Sequence, residues 1–93
     1  MGFFDKLKDL NEMRKQAKQM EAILSAETVT GSSSGNKVQL TIDGNQQVKS
    51  VEIDDSIVGD KSEIGRHMRQ AMDDMFTKHK KMLQTKFGGL LQQ

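Results

Sequence analysis

The apolar residues of this chain change period twice. In the first segment Phe3, Leu10, Ala17 and Leu24 recur every seven positions, Met13 and Met20 fill the places between them, and Leu7 widens the stripe. Such a 3-4 spaced seam predicts a helix from about Asp5 to about Ala26, a rod of roughly 33 Å. In the middle, Val38, Leu40 and Ile42 alternate with Lys37, Gln39 and Thr41, the pattern of a half-buried strand. From Asp60 onward the helical period returns: Ile64, Met68, Ala71, Met72, Met75, Met82 and Leu83 form one stripe. It predicts a second helix to about Phe87, stopped by Gly88-Gly89 and roughly 40 Å long. Asp60-Lys61-Ser62-Glu63 in front of it reads as a capping box, with Asp60 as the cap and Glu63 reaching back.

Between the helices the turn residues divide the chain further. Val29-Thr30 reads as a short strand running into a Gly31-Ser32-Ser33-Ser34-Gly35 loop, and Asp43-Gly44 is a turn signal between two strand-like runs. The return strand holds Val48, Val51 and Ile53. Val48 is out of phase with the other two, so either a bulge near Lys49-Ser50 resets the register or Val48 faces away. Three antiparallel strands with one apolar face, flanked by helices, make an α+β fold in a single domain over residues 1–93.

Strands of this length span only about 17–24 Å, so both helices outrun the sheet they cover. Their distal ends must project into solvent, pack on each other or pack on another subunit, and apolar seams that outrun the sheet favour the last two. Apolar residues are 34% of the chain and aromatic residues 4%. A core that lean in a chain this short is commonly completed by self-association.

There is no cysteine, which removes disulfides, thiolate metal sites and cysteine nucleophiles. No apolar run approaches the ~20 residues needed to span a bilayer, so no membrane is expected as a partner. The start Met1-Gly2-Phe3-Phe4-Asp5 turns acidic too early for a signal peptide, and the expected location is the cytoplasm. Net charge is +1, unevenly spread. Residues 25–60 carry two basic and six acidic groups, a net −4, whereas residues 61–93 carry seven basic and three acidic, a net +4. That asymmetry hints at a polyanion-binding face.

The basic residues fall in two groups. Lys78, Lys80, Lys81 and Lys86 follow Asp74 with no later acidic residue. Such compact cations suit phosphate, although lysine is also favoured at a solvated helix end by the dipole. On the first helix, Lys8, Lys15 and Lys18 lie broadly opposite the Leu10/Ala17/Leu24 seam, with Arg14 nearby. Ordinary intrahelical pairing, Glu12 with Lys15 or Asp5 with Lys8, is the competing account. The Met stripe (Met13, Met20, Met68, Met72, Met75, Met82) reads as core and subunit seam, with a promiscuous groove as the alternative.

Other signals reduce to structure. Gly31 to Lys37 lacks phosphate-loop spacing, and Asp54, Asp55 and Asp60 lack calcium-loop spacing and read as turns and caps. His67 and His79 read as surface residues rather than metal ligands. No Ser/His/Asp set can be defended as an active site, and no aromatic residue is placed to stack bases. Neither enzymatic activity, a cofactor nor a small-molecule substrate is expected.

Val29-Thr30-Gly31, Ser34-Gly35, Val38-x-Leu40-Thr41-Ile42-Asp43-Gly44 and Val51-x-Ile53-Asp54 together resemble the central signature of the YbaB/EbfC nucleoid-associated proteins. The Met/Gln/Lys-rich helix Met13–Met20 before it and Asp55-Ser56-Ile57 after it are also similar to that family. The resemblance implies an α-β-β-β-α subunit with strand order 1-2-3 and a tweezer-like homodimer. It implies binding of double-stranded DNA with little sequence preference, in the bacterial cytoplasm and nucleoid. The expected DNA contacts are then Lys8, Arg14, Lys15, Lys18, Lys78, Lys80 and Lys81, with the acidic middle turned away from DNA. The alternative is a non-enzymatic protein-interaction adaptor that uses its Met-lined helices.

Overall fold

The computed structural model describes residues 3–91. The chain runs α1 (Phe3–Ser25), β1 (Thr28–Ser32), a 3-10 turn (Ser34–Asn36), β2 (Val38–Asp43), β3 (Val48–Ile53), a second 3-10 turn (Asp55–Ile57) and α2 (Lys61–Leu91). The strands form one antiparallel sheet in the order β1-β2-β3. The expected α-β-β-β-α architecture and strand order are thus observed.

Register explains the apolar pattern. Val38, Leu40 and Ile42 pair with Ile53, Val51 and Val48, and Thr41 pairs with Ser50, so Lys49 is the extra residue of a bulge. The bulge returns Val48 to the face shared by Val51 and Ile53, the first of the two expected alternatives. The opposite face is polar, with Thr30 and Thr41 joined through their hydroxyls at 2.9 Å.

α2 lies on the apolar face over β1 and β2. Val29, Val38, Leu40, Ile42, Ile57, Ala71 and Met75 form the buried cluster, with Ile64, Met68 and Met82 packed against it. The approach is close at Gly31, where a β-carbon would lie 2.5 Å from the Met75 backbone nitrogen. Gly31 and Ser32 therefore belong to β1 and not to the expected loop. Asp74 of α2 holds the Ser32 N–H at 2.9 Å, which extends the strand.

Three further expectations change. Asp60 caps α2 by accepting the Glu63 N–H at 3.1 Å, but the Glu63 carboxylate does not reach back; it pairs with Arg66 at 2.8 Å. α2 departs from helical geometry at Phe87 (φ −128°, ψ 22°), yet a further turn runs to Leu91. Glycine permits either outcome, and Leu90 and Leu91 are good helix formers. His67 and His79 are buried, 5% and 7% exposed, instead of lying on the surface. Each hydrogen-bonds a turn of the sheet, His67 to Ser33 Oγ at 2.8 Å and His79 to the Gly44 carbonyl at 2.9 Å.

α1 is different in kind. Residues 7–22 are exposed on every face, including Leu10 and Met13 of the apolar seam. The molecule is 64 Å long and 24 Å by 20 Å across, longer than the ~46 Å expected of a 31-residue α2. α1 is an arm projecting from the sheet.

Candidate nucleic-acid interface

The hydrogen bonds along α2 fix where the two arms leave the sheet. His67 meets Ser33 and Gln70 accepts the Ser34 N–H at the β1–β2 end. Further along, Asp74 meets Ser32, Lys78 meets the Thr30 carbonyl, and His79 meets Gly44 in the β2–β3 turn. The last three turns of α2 therefore extend past the sheet, at the end where α1 is attached. Both arms leave from the same end.

The expected basic residues divide by what holds them. Lys78 is committed: its ammonium pairs with Asp74 at 2.9 Å and donates to the Thr30 carbonyl at 3.2 Å. Together Asp74 and Lys78 occupy outward-facing backbone groups of β1, which blocks that sheet edge. The same ammonium and the Ser32 N–H hold the Asp74 carboxyl below its usual range. Lys86 is also committed, to Glu27 at 2.7 Å. Lys80 and Lys81 are exposed on the part of α2 beyond the sheet.

On α1, Lys8, Arg14, Lys15 and Lys18 are all exposed. At 100° per residue Lys8 and Lys15 lie opposite Leu10, Ala17 and Leu24, and Lys18 lies on the flank between the two sides. Glu12 does not pair with Lys15, and among the described residues Arg14, Lys15 and Lys18 have no ion pair. The alternative pairing of Asp5 with Lys8 lies outside the described side chains.

Carboxylates gather at the far end of the sheet. A shallow polar depression of about 330 Å³, lined by Asn36, Gln39, Glu52, Ile53, Asp54 and Asp55, sits at the end of the sheet away from the arms. Ser56 donates both its hydroxyl and its N–H to Asp54, and these bonds with the Lys37 ammonium hold that carboxyl below its usual range. It stays anionic at neutral pH. Three carboxylates thus line this depression with Lys37 beside Asp54, while the exposed cations of α1, interspersed with Asp9, Glu12 and Glu21, lie at the other end.

Ser33, His67 and Glu63 come together, a contact that the sequence does not place. His67 Nε2 lies 3.4 Å from Glu63 while Nδ1 faces Ser33. The serine is 5% exposed, and its oxygen accepts the Val38 N–H at 2.9 Å. A buried hydroxyl bonded in this way ties the β1–β2 loop to α2. Among the described residues no three His, Asp or Glu side chains are grouped as metal ligands, and no helix is long and apolar enough to cross a membrane. Sequence reasoning does not find Ser25, Asn45 and His79 at the base of the arms; their partners lie 20 or more positions away, beyond the reach of periodicity.

The chain is similar to the crystal structure of HP0035, an uncharacterized protein from Helicobacter pylori, with a TM-score of 0.78 and 23% identity over 98% of both chains. At that identity the likeness shows the fold. The family model that matches covers residues 1–93, the entire sequence, and the chain belongs to the YbaB/EbfC DNA-binding family.

Proposed function

We propose that this protein is a nucleoid-associated protein that binds duplex DNA as a homodimer, by contacts to the phosphate backbone with little sequence preference and without catalysis. The observation that carries the reading is the set of exposed cations on arms leaving one end of the sheet, Lys8, Arg14, Lys15 and Lys18 on α1 and Lys80 and Lys81 on α2. Family membership supports DNA as the ligand. Lys8, Arg14, Lys15 and Lys18 on α1, with Lys80 and Lys81 on α2, are the proposed phosphate contacts. Lys78 contributes to the local field while holding Asp74.

Self-association is supported by what α2 leaves uncovered. Val48, Val51 and Ile53 lie on the same face as the core residues of β2, yet are 65%, 50% and 38% exposed. Met72 and Phe76 on the adjoining side of α2 are 40% and 47% exposed. Burying a side chain of this kind yields roughly 1.5–3 kcal/mol, and a second copy brings the same apolar surface to the contact. The α1 seam of Leu10, Met13 and Met20 adds to it. A dimer doubles the arms and makes a cationic cleft.

The test is a salt series of DNA binding with solution mass measured in parallel. Binding to unrelated duplexes should be similar, and log K should fall linearly with log salt by about 0.9 per phosphate neutralised. A salt-insensitive affinity would sink the electrostatic mode, and a stable monomer would sink the clamp.

A further inference from the structure

A single turn joins the two arms. The C-terminal turn of an isolated helix leaves backbone carbonyls without partners. Here the β2–β3 turn supplies them. Gly44 N–H lies 2.9 Å from the Leu24 carbonyl and 3.1 Å from that of Glu27. Asn45 Nδ2 donates to the Glu21 carbonyl at 3.1 Å and to Ser25 Oγ at 2.9 Å. The contact is tight enough that a β-carbon on Gly44 would lie 2.5 Å from the Leu24 oxygen. The other side of the same residue faces α2, whose buried His79 donates to the Gly44 carbonyl at 2.9 Å. A second link lies farther out, where Lys86 of α2 pairs with Glu27 just past the end of α1 at 2.7 Å.

We propose that His79 and the Lys86–Glu27 pair are positioning residues that fix the direction of α1 relative to α2. On the DNA-binding reading above, they thereby set the spacing of the basic arms. Among the described residues α1 is held only at its last turn, where Glu21, Leu24 and Ser25 meet Gly44 and Asn45, while residues 7–22 are exposed all round. A rod attached only at its last turn multiplies any angular freedom at its base into a large displacement at Lys8. Fixing the base before DNA arrives removes ordering cost from binding.

Absence of cysteine makes the test direct. Nitroxide labels on Q16C and K61C report the direction of the arm by pulsed electron resonance, with labelled protein diluted into unlabelled protein. Glu27→Lys and Lys86→Glu, each alone, should broaden the distance distribution, and the double exchange should narrow it again. His79→Ala should broaden it, and His79→Gln, which keeps an N–H donor, should broaden it less. DNA affinity separates positioning from charge. Glu27→Lys adds positive charge and on electrostatics alone would bind more tightly; positioning requires binding about five-fold weaker, restored in the double exchange. An unchanged distance distribution in the single variants, or a double exchange that stays broad while retaining wild-type helicity, would overturn the proposal. If the wild type fails to bind DNA at all, the DNA-binding reading falls, and the distance measurements still decide whether the base is fixed.

Discussion

Gly31 of β1 faces Ala71 of α2 so closely that a β-carbon on the glycine would overlap the Ala71 carbonyl oxygen, with Met75 Cβ and the Met75 backbone nitrogen each 2.5 Å away on the same helix face. The obstacle is helix backbone, which cannot rotate aside as a side-chain tip would. Gly31→Ala should therefore push α2 off the sheet and cost about 1–3 kcal/mol or more. Gly65 offers the converse. It lies inside α2 with nothing within 4 Å of a β-carbon, so Gly65→Ala should stabilise by about 1 kcal/mol. Urea denaturation of the two variants against wild type checks both signs.

The pairing of Gly31 with Ala71 also shows where periodicity stops informing. The 3-4 and alternating patterns carry both helices, the strands and the phase problem at Val48, because each is a property of neighbours within a few residues. Gly31 reads as part of a Gly/Ser loop because glycine favours turns; only α2, forty positions later, makes it a strand residue. Gly44 does lie in the turn that Asp43-Gly44 signals, but not for the usual reason. The left-handed residue of that turn is Gln46 (φ 64°), and Gly44 is needed to admit the end of α1. The basic residues of both arms are readable as charge. That Lys78 and Lys86 are engaged by Asp74 and Glu27 is not, because the engagement depends on the path of α2 across β1 and past α1.

Asp74 should leave a signature in acid. Its carboxyl is held below the ordinary value of 3.8 by the Lys78 ammonium and then by the Ser32 N–H. A group with a lowered folded-state pKa contributes its stability above the unfolded value and loses it as pH falls through the folded one. The urea midpoint of the wild type should exceed that of Asp74→Asn by a constant amount from neutral pH down to about pH 5, and the gap should narrow as pH falls below the unfolded value of 3.8 and through the lowered folded one. With 36% of the side chain exposed, solvent screening keeps the gap small. A gap that widens in acid would show that the asparagine disturbs something other than charge.

Replacing the α1 cations and replacing Lys78 should separate binding from stability. Lys15→Ala with Lys18→Ala should weaken binding to all duplexes alike, with little change in melting temperature. The salt slope should fall by about 1 for each phosphate that is no longer neutralised. Lys78→Gln should do the reverse, lowering the melting temperature by unpairing Asp74 while changing the slope less. Fluorescence anisotropy over a salt series, beside thermal melts, distinguishes these outcomes. Equal slopes for the Lys15/Lys18 variant and wild type would remove α1 from the interface.

The uncovered half of the sheet decides whether the arms work in pairs. Val51 projects from β3 on the core side, half exposed, and Phe76 stands on the adjoining flank of α2 at 47% exposure. In a monomer, Val51→Asp exchanges one exposed side chain for another and changes stability little. In a dimer the same change places an unpaired carboxylate in an apolar interface, at a cost of several kcal/mol, enough to dissociate a micromolar or weaker dimer. The Val51→Asp variant should then elute as a monomer by light scattering. Its DNA affinity should fall toward that of a single pair of arms, although no basic residue has been removed. Thr30→Asp on the polar face of the sheet introduces the same charge without this effect if the contact is confined to the apolar face. Dimers that persist in Val51→Asp but vanish in Thr30→Asp would place the interface on the other side of the sheet.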